Sequence, residues 1–242
     1  MNNIKINLTY DGTDYYGWQK TKHGPSIEEE LENALKKIFQ KSLKLQAASR
    51  TDKNVHAKNQ VVNFFLEKEV DLGILKHKLN CMLPKDIRIL KIEKAEPNFH
   101  PSTDCKKKQY CYYIRQSSFN FPHLRFYSWN IHQNLDIEKM KAAAEFLIGT
   151  KDYSSFTNRK QTDSIRTIFD ISIEKKDEHI IISITGDNFL YKMARIMVGT
   201  LVYAGLNKID AGSIKKILLS KDRKLSGMTA PAHGLFLNEI FY

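Results

Sequence analysis

Residues 47–57 read AASRTDKNVHA, a segment with neither a helical nor a strand period. It sets one carboxylate, Asp52, between Arg50 and Lys53, and the flanking cations favour its ionised form. A permanently charged carboxylate can act as nucleophile, general base or ion-pair anchor. The same residues are also ordinary turn chemistry, since Asp and Asn satisfy their own backbone in loops. His56 fits loop packing better than metal ligation, because no His or Cys partner stands at ligand spacing. A second stretch, Lys106 to Arg115, alternates so that Tyr110 and Tyr112 share one strand face and Cys111 and Tyr113 the other. Cations beside aromatics on a sheet hold a phosphate backbone while a ring stacks on an unpaired base, although a core strand with solvated lysines reads the same way. A third, Asn188 to Thr200, is apolar around nearly its whole circumference and predicts a buried helix. Arg195 inside it needs a carboxylate or phosphate partner, because arginine does not deprotonate. Asp52 and Asp187 are the candidate acids.

Regular elements must position these groups. Period-two alternation predicts a strand over residues 4–10. Ser26, with Glu29 three residues on, predicts a capping box opening a helix through Ile27, Leu31, Ala34, Leu35 and Ile38. Strands are expected over Leu43 to Ala48, Val61 to Leu66 and Ile87 to Ile92, and a helix over Leu72 to Met82. The resulting β-α-β-β-α-β order is that of the ferredoxin-like, RRM-type arrangement, with two helices on one face of an antiparallel sheet. A second pass of similar order follows. Strands are expected at 108–115, 126–131, 167–173, 180–185 and 235–240. Helices are expected from Asp136 to Leu147 with a stop at Gly149, from Phe189 to Gly205, and from Ala211 to Leu218. The expected fold class is therefore α+β, with two RRM-like domains: 1–104 carrying the aspartate loop, and 105–242 carrying the tyrosine strand and arginine helix.

Composition narrows the partner. Thirty-eight Lys and Arg against 27 Asp and Glu give a net charge of +11, and the isoelectric point is about 9.4. Residues 1–104 hold 17 basic and 14 acidic side chains, against 21 and 13 in the remainder, so the second half carries most of the field. A bias of this size favours a polyanion, nucleic acid first. Cys81, Cys105 and Cys111 form no paired spacing, so reduced thiols are expected and no metal site. No apolar run reaches the length of a membrane span or signal segment, and the expected location is the cytoplasm.

Ser49 to Ala57 closely resembles the R-T-D-x-G-V-H-A signature of the tRNA pseudouridine synthase A family. The similarity continues through Tyr10-Asp11-Gly12-Thr13, Gly17-Trp18-Gln19, Leu79-Asn80, Leu83 to Ile87, Phe99-His100, Tyr110, Asp152 to Phe156, Asn188 to Gly199 and Ala230 to Leu235. The resemblance implies a cofactor-free, metal-free homodimeric isomerase of the pseudouridine synthase fold. Its substrate would be uridine in the anticodon stem-loop of tRNA, at positions 38, 39 and 40. It further implies that Asp52 is the catalytic aspartate, that Tyr110 packs against the target base, that Arg195 pairs with the aspartate, and that Arg50 belongs to the substrate-binding set. Two departures stand out. Asn54 replaces the signature glycine, which predicts a strained but tolerable positive φ. Lysine and glutamine precede Tyr110 where arginines are common, forfeiting a bidentate fork for phosphate. The competing readings are a non-catalytic RRM-type binder of structured RNA and a different tRNA-modifying or tRNA-cleaving enzyme.

Overall fold

The computed structural model describes residues 1–159 and 162–242. Along the chain run β1 (Asn2–Tyr10), α1 (Ile27–Phe39), β2 (Gln46–Ala47), β3 (His56–Leu66), α2 (Leu72–Met82), β4 (Ile87–Lys94), β5 (Lys107–Gln116), β6 (Trp129–Ile131), α3 (Ile137–Glu145), β7 (Gly149–Asp152), β8 (Ile165–Lys176), β9 (His179–Gly186), α4 (Met193–Gly205), α5 (Ser213–Ser220) and β10 (Leu235–Phe241). They form two compact units, Met1–Lys106 with Phe236–Tyr242, and Lys107–Leu235. The closing strand, expected in the second domain, thus lies almost wholly in the first unit. There its Phe236 and Leu237 pair in parallel with His56 and Ala57.

In the first unit β1 pairs antiparallel with both β3 and β4. The alternation seen in the sequence becomes burial: Ile4, Ile6, Leu8 and Tyr10 face the core while Lys5, Asn7 and Thr9 face away. A slip of one residue would expose all four core side chains, at roughly 1.5–3 kcal/mol each. That approaches the whole net stability of a domain, about 5–15 kcal/mol, so the register is fixed. The serine half of the expected capping box forms, with Ser26 Oγ accepting from the Glu29 N–H at 3.3 Å. The Glu29 carboxylate instead faces Lys20 at 3.9 Å.

The second strand is shorter than expected and the third longer. β3 begins at His56 rather than Val61 because its polar residues find partners instead of breaking the ladder. Gln60 is fully buried, and its amide donates to the Ser49 carbonyl at 2.7 Å and accepts from the Ser49 N–H at 3.3 Å. The side chain thus continues the pairing of β3 with the chain just beyond β2. Asp52 consequently sits on the connection that ends at the first residue of a long strand.

In the second unit β5, β9, β8 and β7 follow one another in antiparallel order, and β6 lies parallel along the other edge of β5. Asp136 caps α3 as expected, accepting from the Lys139 N–H at 3.1 Å. The helix ends at Glu145 rather than Leu147, and Gly149, at φ 109°, opens the unforeseen strand β7. The expected helix from Phe189 starts only at Met193. Lys192 stands before it at φ 60°, and residues 188–192 form a turn in which the Met193 N–H meets the Leu190 carbonyl at 3.0 Å.

Candidate active site

The loop carrying Asp52 is held along its backbone. The Trp18 N–H donates to the Thr51 carbonyl at 3.0 Å, the Val55 N–H to the Asp52 carbonyl at 3.1 Å, and the Asn54 N–H to the Tyr15 carbonyl at 3.3 Å. Asn54 takes the left-handed conformation expected of it, at φ 63°. Its amide secures the loop by donating to the Thr13 carbonyl at 2.7 Å. The segment after β1 lies against this loop so closely that glycine is required twice. A Cβ on Gly12 would sit 2.1 Å from the Val55 carbonyl oxygen, and one on Gly17 would sit 2.5 Å from that of Thr51. The Tyr10 and Thr51 hydroxyls meet at 2.8 Å in the buried interior.

The neighbours of Asp52 divide by role. Asp52 is half-buried and Arg50 exposed. Lys53 lies over the Tyr16 ring, its Nζ 3.7 Å from the centroid. His56 is buried and stacks on Phe236 at 4.5 Å between centroids. Its Nδ1 accepts from the Gly12 N–H at 3.0 Å, and Asp11 Oδ1 stands 3.0 Å from the same atom. His56 is therefore a packing residue of the loop. Among the described residues no group of three or more His, Cys, Asp and Glu side chains is placed to hold a metal ion.

Tyr110 and Arg195 belong to the second unit. Tyr110 is buried on β5, opposite Ile184 of β9, with Phe189 edge-on at 4.9 Å and 80°. The turn before α4 thus fixes the plane of the Tyr110 ring. Lys108, two residues earlier on the same strand, is also buried, and its Nζ donates to Asn188 Oδ1 at 3.0 Å. Arg195 is half-exposed rather than enclosed, a correction that follows from the late start of α4: the arginine occupies the first turn, not the helix middle. Its Nε donates to the Ala230 carbonyl at 2.8 Å, and the Ala230 N–H returns a bond to the Arg195 carbonyl at 3.1 Å. The Asp187 carboxylate accepts the Thr167 N–H at 3.0 Å. Burial pushes the Tyr112 hydroxyl far up from the usual tyrosine value, against the opposing pull of the Arg195 charge. Tyr112 accordingly remains a phenol and donates to the Pro231 carbonyl at 2.8 Å.

Several residues that build these surroundings are invisible to pattern reasoning. Gly12 and Gly17 carry no sign that they touch residues 51–55, and Gln60 reads as a break in a strand. Gly199 lies against the Met228 carbonyl oxygen, 1.8 Å from where a Cβ would stand, and Gly234 against the Tyr112 ring.

A family model described as tRNA pseudouridine synthase matches residues 8–104 and 143–242. The chain is similar over its full length to tRNA pseudouridine synthase A 2 of Protochlamydia amoebophila, with 48% identity covering 95% of that protein. It is also similar over its full length to the tRNA pseudouridine synthase A proteins of Thermoanaerobacter sp. strain X514, at 43% identity, and Borrelia turicatae, at 38%, covering 100% of each. The chain belongs to the tRNA pseudouridine synthase family. Asp52 and Arg195 lie within the matched segments. Tyr110 falls between them, in a part of the chain that the full-length relatives cover.

Proposed function

We propose that this protein isomerises uridine to pseudouridine in tRNA, with Asp52 as its catalytic carboxylate. The observation that carries the reading is the Asp52 loop itself, where two glycines without room for a Cβ and an asparagine at positive φ hold the aspartate backbone in one geometry. Catalytic groups need such placement, since small misplacements cost large factors in rate. In the reaction the N1–C1′ glycosidic bond breaks, the uracil turns, and a C5–C1′ bond forms. C5 loses a proton and N1 gains one, so there is no net redox change. Asp52 attacks the ribose or removes a proton from it, and either route uses the ionised carboxylate. The family resemblance further assigns Tyr110 to supporting the displaced ring, Arg195 to partnering the carboxylate, and Arg50 to the substrate-binding set. The base leaves its stack at a cost of a few kcal/mol, offset by protein contacts.

The finer features follow the family resemblance: uridines 38, 39 and 40 of the anticodon stem-loop as targets, a cytoplasmic location, a homodimer, and an RRM-like character for the two units. The net charge of +11 supports a nucleic-acid substrate. No helix among the described residues is long and apolar enough to cross a membrane. The decisive experiment incubates unmodified tRNA transcripts with the wild type and Asp52→Asn in chelator without additives, and maps pseudouridine at nucleotide resolution. The wild type forms pseudouridine at those positions. Asp52→Asn forms none while binding the transcripts with near wild-type affinity; an active variant would refute the role of Asp52. Sedimentation at twice the 28.1 kDa chain mass tests the dimer.

A further inference from the structure

A cleft of about 590 Å³ lies within the second unit, lined by the hydroxyls of Ser154, Thr157 and Ser164 and by the cations Arg159, Lys221 and Arg223, with Asn158 and Asp222 completing it. The floor of this cleft is fixed. Asp152, just outside the lining, accepts from Ser164 Oγ at 2.7 Å and from the Ser154 N–H at 2.9 Å, and pairs with Lys221 Nζ at 2.8 Å. Arg223 is half-buried, and its donors reach only neutral oxygens: Asn158 Oδ1 at 2.8 Å, Ser226 Oγ and the Gly227 carbonyl at 2.9 Å, and Thr229 Oγ1 at 3.1 Å. Asp222, the acid in the lining, turns one oxygen to the Lys224 N–H at 2.9 Å. Arg159 is exposed at the rim, its guanidinium 5.3 Å from the Tyr191 ring.

Among the described residues, three cations therefore stand against two carboxylates, one of which is already paired with Lys221. A half-buried guanidinium without a carboxylate partner favours an incoming anion. The Ser154, Ser164 and Thr157 hydroxyl protons and four of the five Arg223 N–H donors are already given to protein oxygens, so a phosphate here is held by the positive charge of the cleft and by the guanidinium fork of the exposed Arg159. We infer that this cleft holds a backbone phosphodiester of the bound RNA, with Arg159 at its rim as the contacting cation. The inference rests on the tRNA-modifying reading for the source of the phosphate.

The test measures the dissociation constant of an unmodified tRNA transcript from 50 to 200 mM salt for the wild type, Arg159→Ala, Arg159→Lys and Lys176→Ala. Each neutralised phosphate contributes about 0.7–0.9 to the slope of log K against log salt. Arg159→Ala is expected to lower the slope by about that amount and to weaken binding by roughly 3- to 10-fold at 100 mM, while Arg159→Lys retains the slope. Lys176, exposed at the far end of β8, serves as the charge control and leaves the slope unchanged. A wild-type slope in Arg159→Ala, or an equal loss in Lys176→Ala, would overturn the site. Inorganic phosphate binding undiminished in the presence of saturating tRNA would assign the cleft to a free anion and overturn the RNA assignment. A wild-type protein that leaves the transcript's uridines unchanged defeats the functional reading instead, whatever the slopes show.

Discussion

Asn54 illustrates how a single dihedral sets conditions on a loop. At φ 63° it pays the modest αL penalty of a non-glycine residue and recovers it through the bond from its amide to Thr13. Asn54→Gly relieves the strain and loses that bond, two opposed effects of about 1 kcal/mol each, so the stability change falls within about 1 kcal/mol of zero. Asn54→Val loses the bond and places a β-branched side chain at positive φ, and is expected to cost about 2–4 kcal/mol in urea denaturation and to lower turnover by displacing Asp52. Asp152 carries a pH-dependent contribution. Burial raises its carboxyl pKa, but the hydrogen bonds from Lys221, Ser154 and Ser164 outweigh this and hold it well below the usual aspartate value. A depressed folded pKa gives stability that is complete above the unfolded value, near 3.9, and is lost as pH falls below it toward the folded value. Asp152→Asn is therefore expected to cost on the order of 1–3 kcal/mol at pH 7, with the gap to wild type closing below about pH 4 in acid-unfolding curves.

At the scale of elements, α4 shows tertiary contact overriding helix propensity. Glycine in a helix interior normally costs about 1 kcal/mol relative to alanine, so Gly199→Ala would stabilise an isolated helix. Here the added Cβ would stand 1.8 Å from the Met228 carbonyl oxygen, a separation that forces backbone to move. The expected outcome reverses sign: Gly199→Ala lowers stability by about 1–3 kcal/mol. The segment it displaces is the one that holds Arg195 through Ala230, so activity falls as well. Thermal melting and single-turnover isomerisation separate the two effects. The Thr200 hydroxyl, accepting from the Gly227 N–H at 2.9 Å, marks the same close approach from the next residue.

For the molecule as a whole, net charge governs encounter with substrate rather than fold. With +11 on 242 residues, tRNA affinity is expected to fall about a thousandfold between 50 and 200 mM salt if some six phosphates are neutralised; a flat dependence would contradict a backbone-dominated interface. The sequence by itself determined the α+β class, the order of the first six elements, the first-turn caps at Ser26 and Asp136, the positive φ at Asn54 and the family, because all of these rest on local periodicity, local dihedral preference or an unbroken run of residue types. Only the tertiary structure decided that β10 joins the first unit, that Gln60 continues a strand it seemed to break, that α4 starts late enough to leave Arg195 half-exposed, and that Gly12, Gly17 and Gly199 are required for space. Those outcomes depend on atoms brought together from distant parts of the chain, and nothing in the short-range pattern around a residue encodes which distant backbone will press against it.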